Sequence, residues 1–210
     1  MTMKTMKPGR VVLRAVALVV ALAFLGPPAR AIDLNPFSAI KSAVEAAIED
    51  RSSRDIGKDL EIKTKITVGV IDEMGTKVIS INADVYEQDV MLTGVVHKAA
   101  LKAKAGKLAK AVEGVKTLYN EMLVITDVEK KKGVIESFVE DTVIESKINA
   151  LLLDGSGVNV TNFRWRSVGG RVFLFGRALT KPELEKAIGI VKGIKNVLSV
   201  KSRVKVRPKG

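Results

Sequence analysis

The chain has 210 residues, with 35 basic side chains against 23 acidic ones and a formal net charge of +12 at pH 7. It contains no cysteine and a single histidine, which excludes disulfide bridges, thiolate metal sites, a cysteine nucleophile and a two-histidine metal site. The length suffices for one ordinary domain or two small ones.

The first 31 residues have the layout of a secretory signal peptide. Basic residues between Lys4 and Arg14 precede the apolar run AVALVVALAFL at 15–25, and the small-residue pattern Ala29-Arg30-Ala31 follows. The run is shorter than the roughly 20 residues that a membrane-spanning helix needs. We therefore expect cleavage after Ala31 and export to the periplasm. Because a lipoprotein needs a cysteine after its signal, we expect that the protein is not a lipoprotein.

The positive charge is unevenly distributed along the chain. Residues 1–31 carry +5, residues 32–132 carry no net charge, and residues 133–210 carry +7. This asymmetry suggests that only the second half meets an anionic partner.

A short helix is predicted at the start of segment 32–53. Asn35-Pro36 supplies an N-cap residue followed by proline, and apolar residues recur every four positions from Ile40 to Ile48. The polar end of this segment is predicted to be a connector.

An internal repeat organises the rest of the chain. Val-x-Leu-x-Gly occurs at 90–94 and again 82 positions later at 172–176. VEGVK at 112–116 matches VKGIK at 191–195 with an offset of 79, which predicts a three-residue deletion in the second copy. Each copy then has the order helix, strand, strand, helix, strand.

The repeat also decides one ambiguous segment. LEIKTKITVGV at 60–70 alternates enough to pass for a strand, but its partner VIESKINALLL at 143–153 has helical spacing, so both are predicted to be helices. The predicted fold class is α+β, with two αββαβ two-layer domains, each a three-stranded mixed sheet with two helices on one face. The predicted domains cover 54–125 and 134–207, joined by a linker at 126–133.

Four glycines are assigned structural roles. Gly94 and Gly176 take an inward-facing strand position, where the missing side chain is expected to let a helix lie close on the sheet. Gly114 and Gly193 are predicted to be the left-handed residues that end a helix.

The pattern resembles the BON-domain family, named for osmotically induced periplasmic and nodulation proteins of bacteria. The resemblance rests on the αββαβ order, Val-x-Leu-x-Gly in the second strand and Gly-Val/Ile-Lys before the last, each occurring twice behind a signal peptide. It implies a periplasmic protein that supports envelope integrity or stress tolerance, built from modules that bind phospholipid surfaces.

Enzymatic chemistry is not expected. The single histidine, His97, follows a strand and is expected to be a surface residue, and the sequence has no phosphate-binding glycine loop or nucleophile motif. We expect no catalytic residue, no metal site and no cofactor.

The candidate binding surface is the aromatic and basic hairpin NFRWRSVGGRVFLFGR at 162–177. Alternation separates its side chains into two faces, with Phe173 and Phe175 on the face that the helices leave uncovered. The candidate lipid- or partner-binding residues are Phe163, Arg164, Trp165, Arg166, Arg171, Phe173, Phe175 and Arg177.

Three explanations of this hairpin remain open. Its aromatic face could pack against the first domain or the leading helix. It could instead contact anionic membrane phospholipid peripherally and reversibly, which is the leading hypothesis. The alternative is a periplasmic protein–protein adaptor that uses the open sheet face or the edge strands of the second domain. Nucleic acid is not an expected partner, because an exported chain would not meet it.

Overall fold

The computed structural model describes residues 50–75, 78–125, 134–154 and 157–208. All of these residues belong to one compact unit, Ala43–Gly210. The predicted signal peptide at 1–31, the predicted N-terminal helix and the linker at 126–133 lie outside the described residues.

The first repeat has the predicted element order. Its elements are helix α1 (Ser53–Met74), strands β1 (Val78–Tyr86) and β2 (Asp89–Val96), helix α2 (Ala99–Ala111), and the short strands β3 (Thr117–Asn120) and β4 (Leu123–Val124). Strand β2 is central: it pairs antiparallel with β1 and parallel with β3 and β4. The ambiguous segment at 60–70 lies inside α1, so the prediction of a helix is confirmed.

The second repeat follows the same order. It comprises helix α3 (Val134–Leu153), a short 3-10 turn (Val160–Asn162), strands β5 (Phe163–Val168) and β6 (Arg171–Ala178), helix α4 (Lys181–Lys192) and strand β7 (Ser199–Val206). Strand β6 pairs antiparallel with β5 and parallel with β7, which gives a mixed sheet. The α+β fold class of two αββαβ repeats is confirmed. The difference is in the first repeat, whose last strand is divided into β3 and β4.

Each repeat has its own core between helices and sheet. In the first repeat, Ile62, Ile66 and Val70 of α1 pack in one cluster with Val90 and Leu92 of β2. The second-repeat cluster has its counterparts 82 positions later: Ile144, Ile148, Leu152, Val172 and Leu174. Burying a side chain of this size contributes about 1.5–3 kcal/mol. The spacing of four residues along each first helix therefore places these side chains on the face that packs against the sheet.

The offset between the repeats is 82 throughout, which corrects the predicted three-residue deletion. Strand β3 begins 82 positions before β7, because Asp89 pairs with Thr117 and Arg171 pairs with Ser199. The left-handed residue is Gly114 (φ +88°) in the first repeat and Asn196 (φ +71°) in the second. Gly193 has φ −77°, so its predicted left-handed role is wrong. Asparagine tolerates this conformation, and the match of two glycines at offset 79 was therefore coincidental.

The two strand glycines are required by the close approach of the neighbouring strand, and not by the approach of a helix. Gly94 has φ +122° and Gly176 has φ +109°, values that side-chain-bearing residues rarely adopt. A Cβ at Gly94 would collide with the carbonyl oxygen of Ser80, and one at Gly176 with that of Asn162. The expectation that these glycines let a helix approach is wrong: they let the backbone of the neighbouring edge strand approach, and at Gly94 this occurs beside a register shift of the strand pair.

Two buried aspartates, absent from the sequence-based predictions, hold the hairpin turns. Asp59 accepts hydrogen bonds from the backbone N–H groups of Glu87 and Gln88, at 2.8 and 2.7 Å. Asp141, 82 positions later, accepts them from Gly169 and Gly170, at 2.7 and 2.9 Å. Each carboxylate joins the first helix of its repeat to the turn between the first two strands.

The sheet faces that point away from the helices pack against each other. A third cluster joins Tyr86, Met91 and Val95 of the first repeat to Phe173 and Phe175 of the second. Val168 belongs to the same cluster. The two repeats therefore share an apolar core, called the inter-repeat core below.

Candidate functional site

Two of the predicted aromatic side chains belong to the core of the second repeat. Phe163 is 1% exposed and Trp165 is 9% exposed, and both pack in the cluster beneath helices α3 and α4. The indole Nε1 of Trp165 donates to the backbone carbonyl of Glu145, at 3.3 Å. These side chains hold α3 on its sheet.

The other two aromatic side chains lie in the inter-repeat core. Phe173 is 4% exposed and Phe175 is 1% exposed. Tyr119 of the first repeat meets Phe175 edge-to-face, with ring centroids 6.1 Å apart. The prediction that Phe173 and Phe175 face away from the helices is confirmed, but that face is covered. Of the three explanations of the hairpin, packing against the first domain is the one that describes these phenylalanines. The prediction that an adaptor would use an open sheet face of the second domain is wrong, because that face is covered.

Three of the four arginines of the hairpin also reach the first repeat. Arg166 makes a two-pronged contact with Asp84, with Nε and Nη2 at 3.0 and 3.1 Å from the carboxylate oxygens. Arg177 donates to Glu87 at 3.0 Å. The guanidinium of Arg164 lies 5.5 Å from the ring centroid of Tyr86.

Strand β7 and the residue after it supply a second row of inter-repeat charge pairs that sequence reasoning missed. Lys201 and Arg203 both donate to Glu121, each at 2.7 Å. Lys205 binds Asp89, and Arg207 lies 2.8 Å from Glu87. The signal was present in the sequence, because basic residues at alternate positions of one strand share one face.

These pairs account for much of the charge asymmetry between the halves. The anionic groups that meet Arg166, Arg177 and the basic residues of β7 belong to the first repeat and its leading connector, apart from Glu145 of α3, which lies 3.8 Å from Arg166. A large part of the excess charge of the second half therefore has its partner inside the molecule. The cations left for an external anion lie elsewhere on the second repeat.

The outer side of helix α3 is one such surface. Val143, Leu151 and Leu153 are 47%, 45% and 57% exposed. Lys147, also exposed, lies between Val143 and Leu151 at spacings of four residues, so the three share one side of the helix. The corresponding positions of α1 are Glu61, Lys65 and Gly69. At these three positions the second repeat exposes apolar groups beside a cation and the first does not, while α1 exposes Leu60 and Val68 elsewhere on its surface. Val143, Lys147 and Leu151 are called the α3 stripe below.

The comparison with known proteins decides the family. Residues 58–126 and 140–208 match the BON domain. The chain belongs to the BON domain family. Each match covers one αββαβ repeat, so the fold and the family agree on two BON repeats in tandem.

Several bacterial proteins resemble this chain over most of its length. An uncharacterized protein in the gshII 5′ region of Anaplasma centrale is 33% identical over 61% of this chain and 82% of that protein. Osmotically-inducible protein Y of Escherichia coli is 29% identical over 75% of this chain and 79% of that protein. The outer membrane lipoprotein DolP of Haemophilus influenzae is 30% identical over 57% of this chain and 61% of that protein.

The surroundings of two glutamates at or near the BON–BON interface shift their pKa values in opposite directions. Burial raises the pKa of Glu145, although Arg166 and the backbone N–H of Ser167 oppose the shift. At Glu121 burial acts in the same direction, but the hydrogen bonds from Lys201 and Arg203 outweigh it and lower the pKa. The Glu121 cluster is therefore a charged contact that favours the ionised carboxylate.

The described parts of the two BON repeats show no group of three or more metal-ligating side chains that could hold an ion. Within those same ranges, no helix is long and apolar enough to cross a membrane.

His97 lies between β2 and α2 and is half-buried, with a buried Nδ1 that has no hydrogen-bond partner. Arg171 is the one member of the predicted binding set that lies exposed at the hairpin turn.

Proposed function

We propose that this chain is an exported, non-enzymatic envelope protein whose second BON repeat binds anionic phospholipid surfaces in support of envelope integrity or stress tolerance. The names of its relatives favour this setting, since one is an outer membrane lipoprotein and another is osmotically inducible. The predicted signal peptide agrees with export, and the missing cysteine is the reason we propose a peripheral protein without a lipid anchor.

The α3 stripe carries the proposal. A soluble helix normally turns apolar side chains inward, and an apolar side that stays exposed usually marks a contact site. Lys147 lies among these side chains, and further exposed cations lie on α4, including Lys186 and Lys192. Each basic residue near an anionic bilayer contributes about 1 kcal/mol, so several give reversible, salt-sensitive binding.

The buried hairpin has a supporting role in this proposal. Phe173, Phe175, Arg166 and Arg177 fasten the second repeat to the first and do not contact lipid. The lipid-contacting surface we propose therefore lies on the outer side of the second repeat, away from the inter-repeat core.

Vesicle sedimentation tests the proposal directly. The full chain, purified from a bacterium that exports it, would be mixed with phosphatidylcholine vesicles or with vesicles containing phosphatidylglycerol, at low and high salt. We expect co-sedimentation with the anionic vesicles only, weakened by salt. Absence of binding to anionic vesicles would contradict the proposal and would direct attention to an adaptor role for the edge strands.

A matched pair of variants locates the contact. Val143→Ser with Lys147→Glu alters the α3 stripe, and Lys65→Glu makes the same charge change as Lys147→Glu at the corresponding position of α1. We expect the first variant to lose about tenfold or more in affinity and the second to bind like the wild type. Equal losses in both would assign the binding to overall charge.

A further inference from the structure

Leu198 is the most exposed large hydrophobic side chain among the described residues, at 75%. It lies in the loop between α4 and β7, and its backbone N–H donates to the carbonyl oxygen of Gly170 at 2.8 Å. A Cβ at Gly170 would come within 3.0 Å of its Cγ, so the leucine lies over the glycine turn of the hairpin. Its backbone is thus held in place while its side chain points to solvent.

The neighbouring residues anchor this loop. Ile194 is 6% exposed and packs in the core of the second repeat, and Val197 packs against the same core. Asn196 between them turns the chain with a left-handed φ of +71°. Leu198 therefore follows one buried and one partly buried apolar residue that anchor the loop to the core, and its own side chain points outward.

Three exposed cations lie close to Leu198 along the chain or across the strand pair. Arg171 is the strand partner of Ser199, the residue after Leu198. Lys192 is the last residue of α4, and Lys195 lies in the loop before Leu198. The nearby carboxylate of Asp141 is buried and accepts from the turn N–H groups. The tip therefore combines one exposed apolar side chain with three exposed cations. Leu198, Arg171, Lys192 and Lys195 are called the leucine tip below.

The first repeat has a different chemistry at the same place. Lys116 corresponds to Leu198, since its N–H donates to the carbonyl oxygen of Gln88 in the equivalent turn. Asp89 corresponds to Arg171, and it binds Lys205 of the second repeat. Glu113 corresponds to Lys195. The apolar and cationic tip belongs to the second repeat alone, which is the repeat to which we assign lipid binding.

We propose that the leucine tip inserts into the anionic bilayer surface, with Leu198 below the phosphate groups and Arg171, Lys192 and Lys195 at their level. This inference rests on the proposed function and adds to it the orientation of the second repeat. The N-terminal half of α3 lies at the same end, because Asp141 binds the hairpin turn. Val143 is thus near the bilayer, while Leu151 lies about 12 Å farther along the helix.

Site-specific labelling tests the orientation, and the cysteine-free chain makes each label unique. Single cysteines at positions 198, 143, 151 and 116 would carry an environment-sensitive fluorophore, with depth-dependent quenching by brominated phosphatidylglycerol. We expect a blue shift and the strongest quenching at 198, less at 143, little at 151, and none at 116. Leu198→Cys and Lys116→Cys are matched, exposed positions of the two repeats.

Affinity measurements separate this inference from the proposed function. Leu198→Asp should weaken binding to anionic vesicles about tenfold and Arg171→Glu about fivefold or more, with thermal unfolding unchanged because both side chains are exposed. Binding that persists while the label at 198 stays in water would overturn the inserted tip and leave the proposed function standing. Loss of binding in the wild type at every salt concentration would overturn both.

Discussion

Asp84 and Arg166 occupy the same position in the two BON repeats, and they bind each other. They are 82 residues apart, and both nitrogens of the guanidinium edge contact the carboxylate at 3.0 and 3.1 Å. Glu121 and Arg203 are again 82 residues apart and 2.7 Å from each other. Equivalent residues meet in this way only close to a twofold axis. The repeats are therefore related by pseudo-twofold symmetry, with an acid in the first repeat and a base in the second.

Removing either member of the central pair should weaken the fold. We expect Arg166→Ala and Asp84→Ala each to lower the free energy of unfolding, and a double-mutant cycle to give a coupling of about 1–3 kcal/mol, because Asp84 is buried and the contact has two prongs. Chemical denaturation of the four chains measures it. The control is the exposed pair Lys65 and Glu61, for which we expect a much weaker coupling because solvent screens both charges. Equal coupling in both pairs would show that the Asp84–Arg166 pair stabilises the fold no more than an exposed ion pair does.

Charge reversal distinguishes pairing from burial. Asp84→Arg places two guanidinium groups at the axis and should be more destabilising than Asp84→Ala, and adding Arg166→Asp should restore much of the loss. If the double reversal were no more stable than the single one, the surroundings and not the pair would determine the need for an acid at position 84 and a base at position 166. The measurement is the midpoint of thermal unfolding.

Acid should loosen the contact between the repeats. The pKa of Glu121 is lowered by Lys201 and Arg203, so its stabilising contribution is present above the unfolded-state pKa and is lost as pH falls through the folded-state value. Glu145 has the opposite sign, because burial raises its pKa and its penalty grows as pH rises. We expect the stability of Glu121→Gln to depend less steeply on acid pH than that of the wild type. Denaturation profiles at several pH values below neutrality measure the slope, and parallel slopes would refute the assignment.

Glycine substitutions should separate backbone need from helix propensity. Gly176→Ala combines a φ of +109° with a collision against the carbonyl oxygen of Asn162, so we expect a loss of about 2 kcal/mol or more. Gly189→Ala is the control, since an added Cβ in α4 meets nothing within 4 Å, and a gain of about 0.5–1 kcal/mol is expected there. Thermal unfolding reports both, and a neutral Gly176→Ala would contradict the strand-crowding argument.

Truncating the inter-repeat core should cost more than truncating the tip. Phe175 is 1% exposed, and Phe175→Ala is expected to destabilise the chain by about 3–5 kcal/mol through lost burial and a cavity. Leu198→Ser, at a side chain 75% exposed, should change stability by less than about 0.5 kcal/mol. The comparison is made by urea denaturation. Similar values for the two variants would show that the sheet face of the second repeat is not fastened as described.

The fold was largely predictable because it depends on local periodicity that occurs twice. The helical spacing at 143–153 decided the structure of 60–70, and the paired Val-x-Leu-x-Gly motif marked the central strand of each sheet. The registration of the repeats after the second helix was not predictable. Two glycines at offset 79 look alike in the sequence, and only the positive φ angle shows that Asn196 adopts the left-handed conformation that Gly114 adopts in the first repeat.

The residue pattern alone predicts two αββαβ repeats, the faces on which Phe173 and Phe175 lie, and the charge asymmetry of the halves. Alternation and helical spacing are local properties, and they place a side chain on a face without showing what covers that face. Tertiary structure decided the rest. It covered the aromatic face with the first repeat, paired Arg166 with Asp84 across 82 residues, and left Leu198 exposed. Contacts between residues so distant in the chain arise from packing, which no periodicity in either repeat encodes.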